Sequence, residues 1–338
     1  MSRIAFIMGD QFLYWNAIIL MMAALCSILM FWALQLRADE QRKGTVLTVA
    51  LSLLLSLTLS RLVHWYCRPQ GYSSLGAALG NLRDGGFALI GAFAGCMLSA
   101  LLVRLFGIYR NTPALLDRMA VAGCLGISVG RLADLFTTAD RGMPLSASIP
   151  MPWATTLYNP VSGETEVRLA VFMLQSMFAA LLFAVLLVYY FRGRKNGTTR
   201  DGDTALLFLL CYCASQAVLD SPRYDSLYFR SNGFVSVVQI ASILTVIAVL
   251  VIYTIRLFRA GQSMKFLVPF MTIPLLVVAA YMEYHVQRHG GQALYSYTVM
   301  SISMGLSVLL GLLTRYLADR PSRKNGFPAS EAEPEWEA

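Results

Sequence analysis

Nine separate times, this chain runs apolar for about as many residues as a helix needs to cross a bilayer. The hydrocarbon core is about 30 Å thick, so at about 1.5 Å per residue a spanning helix takes about 20 residues. The runs lie near 12–35, 45–67, 86–107, 115–135, 168–191, 204–221, 234–258, 266–284 and 295–317, with glycines softening the third and fourth. Of the 338 residues, 57% are hydrophobic and 14% charged, against about 25% charged in ordinary soluble domains. The fold class expected is therefore an all-α integral membrane protein with about nine transmembrane helices. The first run is too long for the apolar part of a signal peptide and is followed by no clear cleavage site, so it counts as a span.

Cations assign the sides. Arg37, Arg42 and Lys43 fall in one loop, Arg110 and Arg118 two loops on. Then come Arg192, Arg194, Lys195 and Arg200, followed by Arg256, Arg259 and Lys265, and finally Arg320, Arg323 and Lys324. The intervening connections, 68–85, 136–167, 222–233 and 285–294, hold fewer. By the positive-inside rule the first set is cytoplasmic, which puts the N-terminus outside and the C-terminus inside. The net charge of +8 comes from these short groups rather than from one basic stripe, so it speaks for membrane lipids and against nucleic acid. The longest connection, 136–167, carries Pro144, Pro150, Pro152, Pro160 and Gly163 and little helical period. A loop of that kind is expected, with Trp153 and Tyr158 as interface anchors. Residues 320–338, with four glutamates and three prolines, read as a disordered cytoplasmic tail. The six cysteines form no CxxC pair and read mostly as small buried apolar residues.

A charge at the edge of a span must be paired, reach the interface or serve a function. Arg61 and His64 close the second run, Arg83 and Asp84 precede the third, and Arg131 and Asp134 close the fourth on one helix face. Gln216 and Asp220, four apart, close the sixth, with Arg223 just beyond. On the topology above, all of these gather at the outer leaflet. A guanidinium offers a planar fork that matches paired phosphate oxygens, a carboxylate can orient it or accept a proton, and Gly130 would let a headgroup approach the backbone. The group reads as a site for an anionic phospholipid. His285 and His289 are four apart beside Glu283, but with no further ligand in sight they read as interfacial residues and no metal site is expected.

Gly130-Arg131-Leu132-Ala133-Asp134-Leu135-Phe136, with Gly142 further on, resembles the signature of the prolipoprotein diacylglyceryl transferases, a Gly-Arg-x-Gly-Asn-Phe followed by a polar stretch and a glycine. Other segments agree in order and spacing: Gly9 through Trp15 ahead of the first helix, Arg61-Leu62, Gly85-Gly86-Phe87-Ala88, and Tyr212 through Arg223 followed by Gly233 and Gln239. The resemblance covers roughly 9–260. It divides the chain into a seven-helix transferase-like domain at 1–260, two additional helices within 261–319, and the tail 320–338.

What the resemblance implies is transfer of diacylglyceryl from phosphatidylglycerol to the thiol of a lipobox cysteine on a secreted precursor, in a multi-pass protein of the bacterial inner membrane, without a cofactor. Arg131 would hold the departing phosphate and Asp220, at the family's glutamate, would orient an arginine or assist thiol deprotonation. Arg61, Gly130, Asp134, Gly142, Gln216 and Arg223 would bind substrate. Beyond Asp220 for glutamate, the chain departs from the family pattern at four places. Ile90 stands where the family has a histidine, Ala133 replaces the signature's second glycine, Asp134 its asparagine, and Gln216 an arginine. His64, one turn beyond Arg61, is the candidate to replace the histidine. The departures leave an alternative, a non-catalytic relative that binds anionic lipid or a membrane partner.

Overall fold

A computed structural model describes residues 4–8, 11–38, 40–80, 86–145, 152–158, 163–231, 235–261, 267–289 and 293–319. The Arg83-Asp84 pair, Gly85, Gly233 and the tail 320–338 lie outside these. In chain order, strands β1 (Ile4–Met8) and β2 (Gln11–Tyr14) precede α1 (Trp15–Arg37), α2 (Arg42–Cys67), the short α3 (Leu75–Gly80), α4 (Leu89–Leu105) and α5 (Thr112–Gly130). Then follow β3 (Ala154–Tyr158), β4 (Thr165–Leu169), α6 (Val171–Asn196), α7 (Asp203–Leu219) and α8 (Val237–Arg259). The short α9 (Leu267–Phe270), α10 (Thr272–His289) and α11 (Ala293–Asp319) complete the chain.

Among the described residues, seven helical segments are long and apolar enough to cross a membrane. They are Trp15–Arg37, Arg42–Cys67, Thr112–Phe136, Val171–Asn196, Val237–Arg259, Leu267–Arg288 and Ala293–Asp319. The remaining two expected spans are the apolar helices α4 and α7, each 17 residues, at the short limit of what crosses. The protein is a multi-pass membrane protein, mostly helical. It is not purely helical: β1 pairs antiparallel with β2, and β3 with β4. The first expected span therefore begins at Trp15, since Phe12 and Leu13 belong to a strand. The 136–167 connection likewise holds a hairpin, in which Thr155 faces Arg168 and Leu157 faces Glu166. Trp153 and Tyr158 are exposed on it.

Without a hydrophobic force between helices in lipid, close approach and polar side chains hold them. Helices α2 and α4 show both. Ser52, Ser56 and Ser60, spaced by four, bond across to the Ser99 hydroxyl at 2.7 Å, the Ala92 carbonyl at 3.0 Å and the Ala88 carbonyl at 2.9 Å. Opposite them Gly91 and Gly95 lie so near that a Cβ would fall 2.3 Å from the Leu59 carbonyl oxygen and 2.4 Å from the Ser56 nitrogen. The contact of α1 with α5 is of the same kind, with Ser27 donating to the Ala122 carbonyl at 3.0 Å beside Gly126.

Helix α7 sits between two apolar cores. One joins Val121 and Cys124 of α5, Ala179 and Leu186 of α6, and Phe208 and Tyr212 of α7. The other joins Leu210, Ala214 and Ala217 to Val246, Leu250 and Tyr253 of α8, Ala279 of α10, and Met300 and Met304 of α11. At its N-terminal end, Asp117 of α5 accepts the Gly202 and Ala205 amides at 2.8 Å each. The wholly buried Asp203 pairs with Arg256 of α8 and, at 3.1 Å, with Arg315 of α11. These bonds fix α7, so the residues at its far end are held in place.

The α2–α4 crossing makes a sharp test. Replacing Gly95 by Leu should cost at least the upper end of the about 1–3 kcal/mol typical of overpacking, because the clash is with backbone. Gly305→Leu, where nothing lies within 4 Å, should leave the thermal melting of the detergent-purified protein unchanged.

Candidate functional site

Helix α5 tightens at Gly130 into a 3-10 turn, Arg131–Phe136, and the chain then turns through Asp140, whose φ of 55° is left-handed. Aspartate tolerates that region better than most residues. The turn carries the Asp140 carboxylate, only 6% exposed, between two guanidiniums: one oxygen pairs with Arg131 and the other with Arg223. Arg223 also reaches Asp220 at 2.8 Å and Asp225 at 3.2 Å. Asp225 in turn accepts the Asp140 amide at 3.0 Å, while its carbonyl accepts Arg68, just past the end of α2, at 2.7 Å. Burial works against the Arg223 charge, but Asp220 and then Asp225 more than offset it, so this guanidinium is held above the ordinary arginine range and stays cationic.

Three elements support this bridge. The Asp220 carboxylate accepts from Ser236, the N-cap of α8, which forms a reciprocal capping box with Gln239. Arg141 reaches the hairpin, donating to the Thr155 hydroxyl at 3.0 Å and the Thr156 carbonyl, and returns to the Thr137 carbonyl at 2.7 Å. Gly142 lies against the start of α6, where a Cβ would be 2.8 Å from Val171 and 3.0 Å from Leu169.

Beneath the bridge, α7 presents Phe208, Tyr212, Gln216 and Asp220 at intervals of four, on one face. Phe93 of α4 closes on the rings of Phe208 and Tyr212 at 5.8 and 5.6 Å. Gln175 of α6 donates to the Gln216 carbonyl oxygen at 3.0 Å. Four polar atoms here are buried and have no hydrogen-bond partner of ordinary geometry among the described residues. They are Arg131 Nε, the Tyr212 hydroxyl, Gln216 Nε2 and Gln175 Oε1, and the Tyr212 hydroxyl lies beside the Arg131 guanidinium. A buried group left unpaired costs about 1–3 kcal/mol. Three of the four can donate, which suits an incoming anion with several oxygens.

The structure thus brings Arg131, Gln216, Asp220 and Arg223 together and corrects the expected pairing. The carboxylate on Arg131 is that of Asp140, while Asp134 accepts from Thr137 at 3.2 Å. Gly130 faces the Ala23 methyl of α1, 3.6 Å from where its Cβ would be, and Gly142 faces α6. At Gly142 there is too little space for a Cβ, while at Gly130 a Cβ would be in ordinary contact. The described partners of Arg61, which is buried, lie elsewhere: it donates to the Ala78 carbonyl at 2.8 Å, the Gly86 carbonyl at 3.0 Å and the Tyr72 hydroxyl at 3.1 Å. His64 bonds the same hydroxyl at 2.8 Å, and none of these contacts includes Arg131 or Asp220. Both side chains order the α2–α4 connection, where Gly86 (φ 77°) leaves no room for a Cβ beside Tyr72 and His64. Ile90 packs into an apolar cluster with Cys67, Leu227 and Val237. His285 bonds Ser296 at 3.0 Å.

Asp140, Asp225 and Gln175 were not singled out from the sequence. Gln175 carried a usable signal, an amide inside an otherwise apolar span; the two aspartates lie in loops whose folding no periodicity announces.

Removing one member of a buried ion pair strands the other, at about 3–5 kcal/mol. Arg223→Ala should therefore lower the melting temperature in detergent markedly, since it strands Asp140, Asp220 and Asp225. Adding Asp140→Ala should recover part of the loss, a coupling of about 0.5–3 kcal/mol.

Comparison with known proteins gives this geometry a family. The sequence profile of the prolipoprotein diacylglyceryl transferases matches residues 3–255. A phosphatidylglycerol-prolipoprotein diacylglyceryl transferase of Thermotoga maritima is 25% identical over 276 residues, 78% of this chain and 87% of the relative. Its namesake in Thermotoga petrophila is 26% identical over 212 residues, 61% and 67% of the two chains. That of Parasynechococcus marenigrum is 26% identical over 234, covering 66% and 81%. With three quarters of its length matched, including every residue of the Arg131–Asp140–Arg223 bridge, the chain belongs to the prolipoprotein diacylglyceryl transferase family.

Proposed function

We propose that this protein is a phosphatidylglycerol:prolipoprotein diacylglyceryl transferase, acting at the outer face of a bacterial inner membrane. The observation that carries the reading is the set of buried donors, the unbonded Arg131 Nε and Gln216 Nε2 with the Tyr212 hydroxyl beside Arg131, beneath the Arg131–Asp140–Arg223 bridge in the region matched by the family. All nine expected spans cross, with the N-terminus outside, and residues 1–260 form the transferase unit to which the last two helices are added.

In the reaction, a cysteine thiolate of the precursor's lipobox attacks the diacylglyceryl carbon that bears the phosphate ester. The carbon–sulfur bond forms as the carbon–oxygen bond breaks, glycerol phosphate leaves with the electron pair, and the thiol proton passes to solvent or a base. Arg131 is the catalytic residue: a fixed cation beside the departing oxygen stabilises charge that grows in the transition state. Gln216 and Tyr212 add neutral donors to the same phosphate. Asp220, with its oxygens engaged by Arg223 and Ser236, is a positioning residue that holds the loop behind Arg131. Arg223 serves the same end through Asp140. Arg61, Gly130, Asp134 and Gly142 shape the site without touching lipid.

A second reading rests on Ile90, packed among apolar neighbours where the family has a histidine. On it the protein binds phosphatidylglycerol but does not transfer from it. Purified protein in phosphatidylglycerol vesicles with a lipobox peptide decides between them. Release of glycerol phosphate is expected, falling by about 100- to 1,000-fold in Arg131→Ala, as for loss of one oxyanion donor. Saturable lipid binding without release, in a preparation that melts cooperatively, would give the second reading.

A further inference from the structure

The last two helices lie beyond the region matched by the family, yet they reach the site. Helix α11 packs on both α7 and α8, and the later part of α10 and the first turns of α11 lie at the end of the bundle where α7 finishes. There Tyr297 of α11 lies against Ser221, the residue after Asp220. Tyr228, in the loop leading to α8, stands between the two parts. Burial, then the charge of Asp220, then that of Glu283 of α10 push its phenol above the ordinary tyrosine range, with Arg223 opposing. Packing places Glu283 there: Met282, its neighbour on α10, and Tyr297 join the apolar cluster that holds Ala217 and Val218 near the end of α7.

Glu283 itself is 6% exposed. One of its carboxylate oxygens accepts from Gln287 at 3.0 Å. The other is buried and has no partner among the described residues. A carboxylate with no proton is an acceptor only, and an unpaired buried acceptor is as costly as an unpaired donor. It repels a phosphate, so it complements the part of a ligand that carries hydroxyl or ammonium hydrogens. Ser221, Tyr228 and Tyr297 bring hydroxyls to the same end of the bundle, which suits a neutral polyol, and the charge of Arg223, felt at Tyr228, disfavours a second cation.

We propose that the appended hairpin supplies a specificity-determining residue: Glu283 accepts the hydroxyl hydrogens of a polyol phospholipid headgroup whose phosphate is held at Arg131. This rests on the reading of the site as one for phosphatidylglycerol, and it assigns the added helices a part in choosing that lipid over others of the same charge. The donor and acceptor sets then divide the headgroup. Arg131, Tyr212 and Gln216 take the phosphate, while Glu283 takes the terminal diol.

The test compares phosphatidylglycerol with phosphatidylpropanol, which has the same phosphodiester and acyl chains but no headgroup hydroxyls. Hydrogen bonds to a charged group are worth about 1.5–3 kcal/mol, so the full-length protein should prefer phosphatidylglycerol by roughly 10- to 100-fold. The preference is read as transfer to the lipobox peptide and, separately, as lipid-induced thermal stabilisation without peptide. In Glu283→Leu the ratio should collapse to below about threefold on both readouts. In Glu283→Gln, which keeps one carbonyl acceptor and serves if the leucine variant does not fold, it should narrow. A ratio that Glu283→Leu or Glu283→Gln leaves unchanged, with both lipids weakened alike, would overturn the proposal. So would a wild-type protein that binds the two lipids equally or binds phosphatidylethanolamine more tightly than either. Absence of transfer with the binding ratio intact would reject the transferase reading and leave the role of Glu283 standing.

Discussion

A single carboxylate, that of Asp140, shared between two buried guanidiniums, is what the site depends on. Each arginine is well shielded, with side-chain exposures of 14% for Arg131 and 11% for Arg223, and neither could be held there without a counter-charge. Asp140 supplies it for both, and in doing so draws together the end of α5, the turn after it and the loop between α7 and α8. Those loops are separated by about 80 residues in sequence, yet the Asp140 amide on Asp225 and the Tyr224 hydroxyl on the Thr138 carbonyl at 2.6 Å repeat the same junction. The left-handed backbone at Asp140 is the local cost of aiming that carboxylate.

Charge balance then explains how the arginines divide their work. Arg223 meets Asp140, Asp220 and Asp225, so its cation is fully spent within the protein. Arg131 meets only half of Asp140 among the described ion pairs and keeps Nε without a bond. Of the two, Arg131 alone is equipped to receive an anion, and Arg223 acts by holding the counter-charge that orients it. Replacing the family's arginine by Gln216 fits the same balance. A further buried cation at that depth would need another carboxylate, whereas the amide offers a donor without one.

Much of the fold was legible because hydrophobicity over about 20 residues is a strong signal in lipid. Every expected span corresponds to a helix, and Arg131, Gln216, Asp220 and Arg223, read from the ends of spans, lie together. What was missed follows from weaker physics. The first span was begun too early because Phe12 and Leu13 are as apolar in a strand as in a helix. Thr155, Thr156, Glu166 and Arg168 form a hairpin through cross-strand pairing, which local composition does not reveal. Asp134 shares a helix face with Arg131 by spacing, but the tight 3-10 turn there changes that geometry, and the ion pair passes to Asp140 across a loop. Gly130 and Gly142 are ambiguous in sequence between ligand approach and helix packing; their neighbours leave no room for a Cβ at Gly142, against Val171, but do leave room at Gly130, beside Ala23.

The appended hairpin shows why a site residue can be recruited from outside an established core. A buried carboxylate is useful only if its position is fixed; Glu283 is carried by α10, which packs along α11, so its position depends on α11 being anchored far from the site. Helix α11 is so anchored. At the opposite end of the bundle Arg315 pairs with Asp203, the residue that begins α7, and bonds the Tyr189 hydroxyl of α6. In its middle, Gly311 admits the side chains of Leu250 and Leu210, bringing α11 against α8 and α7 together. With both the end and the middle of α11 tied to the helix that leads through Gln216 to Asp220, the start of α11 and the part of α10 packed along it are held relative to them. Glu283 is therefore held in register with α7, and through Asp220 and Arg223 with the bridge that orients Arg131.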